Sequence, residues 1–295
     1  MRSSVRLTFA VLAIGLASPA LADEADWGKV DTVLGRQGTA QPGGIHRYGF
    51  PRSDLKVTLD GVAIKPALAL GGWLAFEPMG DQAMVMGDLV LTEEEVNLVM
   101  ARLAAGGIDV TGIHNHLLRA SPATFYMHVL GHGEPEALAA ALRDGLAASK
   151  TPLQAPMAAA QSQSIDLDTA LIDKTLGFKG KVNGGVYQIG VPRAEAIKDS
   201  GMDVPPAMGS AIAINFQPTG SGKAAITGDF VLTAQEVNPV LRTLRENGIE
   251  VTALHNHMLN DEPRLFFMHF WANDDAKRLA EGLRAALDQV NVKQS

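Results

Sequence analysis

Apolar and polar positions along the chain follow one order of strand-like and helix-like stretches, and the chain uses that order twice. The strand-like stretches are short and largely apolar, with faces that alternate every second residue. The helix-like stretch carries apolar residues at the three- and four-residue spacing of an amphipathic helix. In chain order, the pattern predicts a hairpin over 56–64, strands over 73–76 and 83–91, a helix over 92–107, strands over 108–118 and 124–130, and a helix over 134–146.

Polar and glycine residues mark the ends of the first predicted helix. Thr92 precedes the helix and Glu95 follows three positions later, which is the capping-box arrangement of a helix N-terminus. A Gly-Gly pair at 106–107 follows the last apolar position, where helices often end in a left-handed residue. Thr233 and Glu236 repeat the capping arrangement later in the chain. We therefore predict that matching helices begin after these two threonines.

Nearly the whole chain is an internal repeat, with a constant offset of 141 residues from residue 51 onward. Between the copies, residues 147–164 are rich in Ala, Gln, Ser and Pro without apolar periodicity, which is typical of a linker. The predicted organisation is a first α+β domain over 23–147, a linker over 148–164 and a second α+β domain over 165–295. Matching dipeptides are Pro51-Arg52 with Pro192-Arg193, Gly87-Asp88 with Gly228-Asp229, and Leu142-Arg143 with Leu283-Arg284.

The order strand–helix–strand–strand–helix is the core of a ferredoxin-like unit. The predicted fold class is therefore α+β, built by tandem duplication of that unit. Both faces of the strands predicted over 108–118 and 124–130 carry apolar residues, so both faces should be covered. Helices can cover only one face of each sheet. We expect the other copy to cover the second face, with the two sheets related by a pseudo-two-fold axis.

Residues 1–22 have the pattern of a secretory signal peptide. Two arginines form a positive start, residues 7–16 form an apolar core too short to span a bilayer, and Ala20-Leu21-Ala22 is a small-x-small cleavage site. Cleavage there would begin the mature chain at Asp23. The segment predicts a periplasmic or secreted protein without stable membrane insertion after cleavage.

Composition narrows the function classes further. The 295 residues are 46% hydrophobic and 19% charged, which is ordinary for globular proteins and long enough for two modest domains. The net charge of −7, without a local run of Lys or Arg, argues against nucleic acid as a partner. The absence of cysteine excludes disulfides, thiolate metal sites and cysteine nucleophiles.

The candidate chemistry of the first copy is a set of three histidines, His114, His116 and His128, which we call the first trio. His114 and His116 are two apart on a predicted strand, so their imidazoles leave the same side of it. With a hairpin turn near Ser121, antiparallel pairing would place His128 opposite His114 on that side. Three imidazoles could then bind one ion at roughly 2.0–2.1 Å each.

The second copy repeats the spacing in a second trio, His255, His257 and His269. A three-histidine set with an open fourth position suits a divalent transition metal, with zinc as the first candidate and copper, nickel or iron as others. Two alternatives stay open for both trios: a polar pocket without metal, and histidines with purely structural hydrogen bonds. Recurrence of the whole set favours the metal.

Two duplicated pairs of charged residues are further candidates. Asp88 and Asp229 follow glycine inside predicted strands, where Asp is unfavourable without a role. They are candidate metal ligands, hydrogen-bond partners of the histidines or general bases, with a bulge or turn as the alternative. Arg52 and Arg193 follow proline in predicted loops and are candidates for binding an anion.

One long motif string of the second copy resembles a known family. Residues 228–269 read Gly-Asp-Phe-Val-Leu-Thr, Glu-Val-Asn-Pro-Val-Leu, Gly-Ile-Glu-Val-Thr-Ala-Leu-His-Asn-His-Met-Leu and Glu-Pro-Arg-Leu-Phe-Phe-Met-His in order. This string resembles the LppY/LpqO family of exported bacterial proteins, and the resemblance covers both copies. It implies export and a duplicated domain, without an activity, cofactor or catalytic residue. The family's lipid anchoring does not transfer, because this chain has no cysteine.

Together these observations predict an exported protein that binds a divalent transition metal through the two trios, for metal handling or sensing. Whether it is an enzyme stays open at this point. One alternative is a metal-dependent hydrolase in which the open coordination position activates water. Another is a module that binds a small anionic molecule. The expected partner is a metal ion or small ligand, and the oligomeric state is not indicated.

Overall fold

The structure is a computed structural model that describes residues 26–154, here called the first half, and residues 164–293, the second half. The predicted signal peptide over 1–22 and most of the predicted linker lie outside the described residues. Within the described ranges, none of the helices is long and apolar enough to cross a membrane.

The first half contains helices α1 to α4 and strands β1 to β8. In chain order they are α1 (Trp27–Leu34), β1 (Thr39–Ala40), β2 (His46–Pro51), β3 (Thr58–Leu59), β4 (Val62–Ala63), α2 (Pro66–Ala69), β5 (Gly71–Met79), β6 (Gln82–Leu91), α3 (Glu93–Ala105), β7 (Asp109–His114), β8 (Phe125–Gly133) and α4 (Pro135–Ala147).

The second half contains helices α5 to α7 and strands β9 to β17. In chain order they are α5 (Thr169–Leu176), β9 (Lys181–Asn183), β10 (Val186–Val191), β11 (Lys198–Asp199), β12 (Met202–Asp203), β13 (Ile212–Gly220), β14 (Lys223–Thr233), α6 (Ala234–Glu246), β15 (Glu250–His255), β16 (Asp261–Glu262), β17 (Leu265–Asp275) and α7 (Ala276–Leu287).

Each half builds one six-stranded sheet, and the two sheets have equivalent strand orders. The first runs β1-β2-β5-β6-β8-β7 and the second runs β9-β10-β13-β14-β17-β15. Neighbouring strands in both sheets are antiparallel. The edge strands β7 and β15 carry the first histidine of each trio. The protein is therefore a duplicated α+β fold.

The two long helices that follow the central strands begin as the sequence predicts. The backbone N–H of Thr92 donates to the Glu95 carboxylate at 2.8 Å, and Thr233 donates to Glu236 at 2.7 Å. Both capping boxes are complete. Each satisfies amide groups that have no partner within the first helical turn.

Each sheet is covered by helices on one face and by the other half on its second face. Val85 and Leu89 point towards α3 and α4 in a core made of first-half residues alone. Met84 and Met86, from the opposite face of the same strand, join Phe216 of the second half in one core. The face that carries His128 alternates with the helix-covered face, so it points towards the second half.

Polar contacts also join the two halves. The hydroxyl of Thr111 donates to the backbone oxygen of His257 at 2.6 Å. The amide nitrogen of Gln217 donates to the Ala63 carbonyl at 2.8 Å. At the rim, Arg119 pairs with Glu250 at 2.8 Å. The contacts of Thr111 and Arg119 join the segments around β7 and β15, the edge strands that bear the first histidine of each trio.

Candidate metal centre

Strand pairing places an aspartate beside one histidine in each half. His128 on β8 lies opposite Asp88 on β6 and opposite Gly112 on β7. His269 on β17 lies opposite Asp229 on β14 in the same way. Directly opposed residues of antiparallel strands share a face. The duplicated Asp residues therefore stand next to the histidine side chains.

The predicted register of the first hairpin was wrong by two residues. His114 lies opposite Tyr126 rather than His128, and a bulge between Val110 and Gly112 shifts the pairing by one further residue on the side away from the turn. A shift of two residues keeps every side chain on its original face, since strand faces alternate with period two. His114 and His128 thus remain on one face, with ring centroids 4.9 Å apart.

The first strand of the hairpin is also shorter than predicted. It ends at His114 instead of continuing to Leu118, because the side-chain oxygen of Asn115 accepts from the Leu117 backbone N–H at 2.7 Å and closes a turn. His116 lies in that turn. Its ring is nevertheless 4.6 Å from the ring of His114.

The six histidines of the two trios converge in one histidine cluster between the halves. The shortest ring-centroid distances join residues of different halves, so neither trio stands alone. The ring centroids are 3.4 Å apart for His114 and His255, 3.6 Å for His116 and His269, and 3.7 Å for His128 and His257. The last two distances are equivalent under the repeat, so the pseudo-two-fold axis passes between His114 and His255.

Four sets of ligand atoms in the described residues could each hold one ion, with all atoms of a set within 4.8 Å of one another. None of them contains a whole predicted trio. Two sets mix the halves, and two combine an aspartate with two histidines of its own half. The sets are His114/His128/His255/His257, His114/His116/His255/His269, Asp88/His116/His128 and Asp229/His257/His269.

Backbone hydrogen bonds orient two of the imidazoles towards the centre. Nδ1 of His269 donates to the Gly228 carbonyl at 2.9 Å, and His128 bonds the backbone of Gly87. For His269 this bond leaves the lone pair of the neutral imidazole on Nε2, which lies 2.8 Å from Nε2 of His255 inside the cluster. A Cβ at Gly228 would lie 1.9 Å from the Ala213 carbonyl oxygen, so the strand requires glycine there. This explains the recurring Gly-Asp pair.

Many polar atoms in the cluster are buried without a hydrogen-bond partner. An unmet buried donor or acceptor costs roughly 1–3 kcal/mol. A shared cation would satisfy several of them at once. Among the described residues, these atoms are Oδ1 of Asp88, both ring nitrogens of His114, Nε2 of His116, Nε2 of His128, Oδ1 of Asp229 and Nε2 of His257.

The electrostatic environment keeps the imidazoles neutral. Burial lowers the pKa of His128 to about 3 and the pKa of His255 to about 4. Burial and the neighbouring imidazoles lower the pKa of the other four well below the ordinary value. Neutral imidazole is the form that binds a metal, so the cluster is ready to bind near pH 7.

The two carboxyl groups are shifted in the opposite direction. Burial raises the pKa of Asp88 well above its ordinary value, partly offset by the charge of Arg47. Burial raises the pKa of Asp229 as well, and the charge of Asp88 raises it further. A buried carboxylate without a paired cation is strongly unfavourable. A metal ion beside these groups would stabilise their ionised form.

Two cavities adjoin the cluster. A cavity of about 350 Å³ opens onto His114 and His255, the pair on the pseudo-two-fold axis. A smaller cavity of about 10 Å³ is lined by His128 and His257 and is about the size needed for one water molecule. The larger cavity provides a route from solvent to the imidazoles.

The two arginines predicted to bind an anion are occupied by the protein's own carboxylates. Arg52 is fully buried and donates to Glu95 at 2.7 Å and to Asp54 at 2.8 Å. Arg193 makes the equivalent bonds with Glu236 and Glu195. These networks anchor the loops to the helix N-termini and lie apart from the histidine cluster. The anion-binding interpretation is therefore replaced by a structural one.

Two aromatic rings next to the cluster were not predicted as part of the site. The ring of Tyr126 stacks on His116 at 3.4 Å, and the ring of Phe267 stacks on His257 at the same distance. The signal was available, because both aromatics lie two residues before the third histidine of their trio. Stacking limits the rotation of the two imidazoles that lie in turns.

Comparison with known proteins supports the duplication. A family model described as "Domain of Unknown Function (DUF1259)" matches residues 28–148 and again residues 170–289. No curated protein matches the chain. A crystal structure of a trimeric bacterial microcompartment shell protein, PduB, aligns over 88% of this chain and 96% of its own, at 10% identity and a TM-score of 0.23. A similarity of that size shows neither a shared fold nor a shared function.

Proposed function

The chain belongs to the DUF1259 family of domains of unknown function and carries two copies of the domain, and we propose that it binds a divalent transition metal in the histidine cluster between them. The observation that carries the proposal is the convergence of six neutral imidazoles, four of which have a buried ring nitrogen without a hydrogen-bond partner: His114, His116, His128 and His257. Structural histidines would have hydrogen-bond partners instead. Zinc is the first candidate, because it favours nitrogen ligands in tetrahedral sets.

The role we favour is the handling or sensing of this ion in the cell envelope. Support for export comes from the signal-like sequence over 1–22 and from the resemblance to the LppY/LpqO family. We infer a periplasmic or secreted protein whose partner is the ion rather than nucleic acid, in line with the net charge of −7. The ferredoxin-like unit belongs to the same proposal: β6, α3, β7, β8 and α4 follow its order, with β8 between β6 and β7.

A metal-dependent hydrolase is the second candidate. The observation in its favour is the cavity of about 350 Å³ that opens onto His114 and His255. A small substrate could reach a metal-bound water through it. In this case the metal would activate the water, and purified, metal-loaded protein would hydrolyse an ester or amide substrate.

The test of metal binding is a titration of the full chain after removal of bound metal by a chelator. Zn²⁺ should bind the wild type, and His128→Ala or His269→Ala should weaken binding by roughly 10-fold or more, since even outer partners of metal ligands matter at that level. His132→Ala is the matched control, because His132 is an exposed histidine on the same strand as His128. Equal binding by all four proteins would refute the proposal.

A further inference from the structure

We propose that the centre holds two metal ions at once, one bound by Asp88, His116 and His128 and the other by Asp229, His257 and His269. This inference rests on the proposed metal binding and adds the number of ions and the role of the carboxylates. Each aspartate becomes a direct metal ligand rather than a base or a hydrogen-bond partner of the histidines.

The two aspartate-containing sets share no residue. The sets made only of histidines both need His114 and His255, so two ions could not each take four separate histidines. The aspartate-containing sets have no such conflict. The repeat relates the two sets residue by residue, so both sets offer the same types of ligand to a metal ion.

The surroundings of the two carboxylates also favour direct metal binding. Asp88 and Asp229 are both largely buried, and Oδ1 of each has no hydrogen-bond partner among the described residues. Oδ1 of Asp88 is 3.9 Å from Nδ1 of His128. In the second half, Oδ1 of Asp229 is 3.8 Å from Nε2 of His269, and Oδ2 is 3.6 Å from Nε2 of His257. These distances are too long for hydrogen bonds but suit two ligands that face a common ion. In both copies, the aspartate and two histidines of the same half offer ligand atoms within 4.8 Å of one another.

His114 and His255, on the pseudo-two-fold axis, can complete the coordination of both ions. Each belongs to both histidine-only sets, so each is within reach of ligands from both ions. They can supply the fourth ligand of either ion. Two divalent ions and two carboxylates leave a surplus of positive charge, which hydroxide or another small anion would balance. The cavity that opens onto this pair gives such an anion access.

The experiment counts the ions bound per chain. Full-length protein, freed of metal by a chelator, is saturated with Zn²⁺, passed through a desalting column and measured by elemental analysis. The wild type should retain about two zinc ions per chain. Asp88→Ala and Asp229→Ala should each retain about one. Asp144→Ala, a control at an exposed aspartate that pairs with Arg102, should retain about two.

The outcomes separate this inference from the proposed function. One zinc ion per wild-type chain would overturn the inference, while loss of that ion in His128→Ala would leave the proposed function standing. No zinc in the wild type would overturn both. Two ions in the wild type with no loss in either aspartate variant would refute the carboxylate ligands. The wild-type count decides the number of ions even if a variant fails to fold.

Discussion

The two halves keep the same candidate ligands but differ in the residues around them. Tyr126 in the first half corresponds to Phe267 in the second, and each ring stacks at 3.4 Å on the histidine of the adjacent turn. The Tyr126 hydroxyl donates to the Ala69 carbonyl at 2.6 Å. Phenylalanine cannot make this bond. Both halves therefore share an aromatic ring that stacks on the imidazole, whereas the hydroxyl hydrogen bond is made only in the first half.

A second difference lies beside the aspartates. Arg47 in the first half stacks over Trp73 at 4.0 Å, and its positive charge opposes the rise in the pKa of Asp88. The repeat places Gln188 at the corresponding position, where its side chain bonds the Ala67 carbonyl. Asp229 therefore lacks an equivalent cation. The duplication conserves the ligand positions while the local electrostatics differ between the halves.

The largest expected effect tests whether the two buried arginine networks are equivalent. Arg52→Ala and Arg193→Ala should each lower the free energy of unfolding by roughly 3–5 kcal/mol, because buried carboxylates lose their cation. Urea denaturation measures this. Arg102→Ala, which removes a surface ion pair with Asp144, should change stability by less than about 1 kcal/mol. Similar small effects at all three positions would contradict the structural role of the networks.

Acidification should destabilise the metal-free protein from about pH 6.5 downwards. The folded pKa values of His128 and His255 are about 3 and about 4, below the unfolded value of roughly 6.5. In that window the unfolded chain binds more protons, so stability falls as the pH falls. The raised pKa values of Asp88 and Asp229 oppose this effect, but six imidazoles outnumber two carboxyls. Urea midpoints unchanged between pH 7 and pH 4.5 would contradict the buried, neutral cluster.

Exchanging the stacked rings sharpens the comparison of the halves. Phe267→Tyr should destabilise the protein by roughly 1–3 kcal/mol, because a hydroxyl would enter a fully buried position that holds a hydrocarbon ring. Zinc affinity should stay within about threefold of the wild type. Thermal unfolding and zinc titration measure the two quantities. A large loss of zinc affinity with unchanged stability would assign the ring an unexpected role at the centre.

The reverse exchange should have the smallest effect. Tyr126→Phe removes the hydrogen bond to Ala69 and keeps the ring, so stability should fall by roughly 0.5–1.5 kcal/mol. Zinc binding should again be retained, because Phe267 already fills this role in the second half. If Tyr126→Phe abolished zinc binding, the two halves would not be interchangeable at this position.

Local rules predicted much of the fold. Thr92 with Glu95 marked the start of α3, and the same pair of residue types marked α6, because capping depends on neighbours in sequence. The constant offset indicated the duplication, which the family match confirms. The end of β7 was missed because the Asn115 side chain closes a turn that apolar periodicity does not reveal.

The sequence indicated which histidines belong to the candidate site, but it did not indicate how they are arranged between the two halves. Alternation along a strand placed the histidines on one face, and that property survives a register shift of two residues. The contacts His114–His255 and His128–His257 join the two halves, and no local pattern encodes how two sheets pack. The Arg52–Glu95 pair is also nonlocal, so the arginine was interpreted as a loop residue free to bind an anion.

The most direct test of the histidine cluster removes the two histidines on the pseudo-two-fold axis. Zn²⁺ is titrated into metal-free wild type, into the double variant His114→Ala/His255→Ala and into His132→Ala. The double variant should bind zinc roughly 100-fold more weakly or worse, because both histidines lie within reach of ligands from both halves. His132→Ala should bind as the wild type does. Wild-type affinity in the double variant, or absence of binding by the wild type, would contradict a metal centre between the halves.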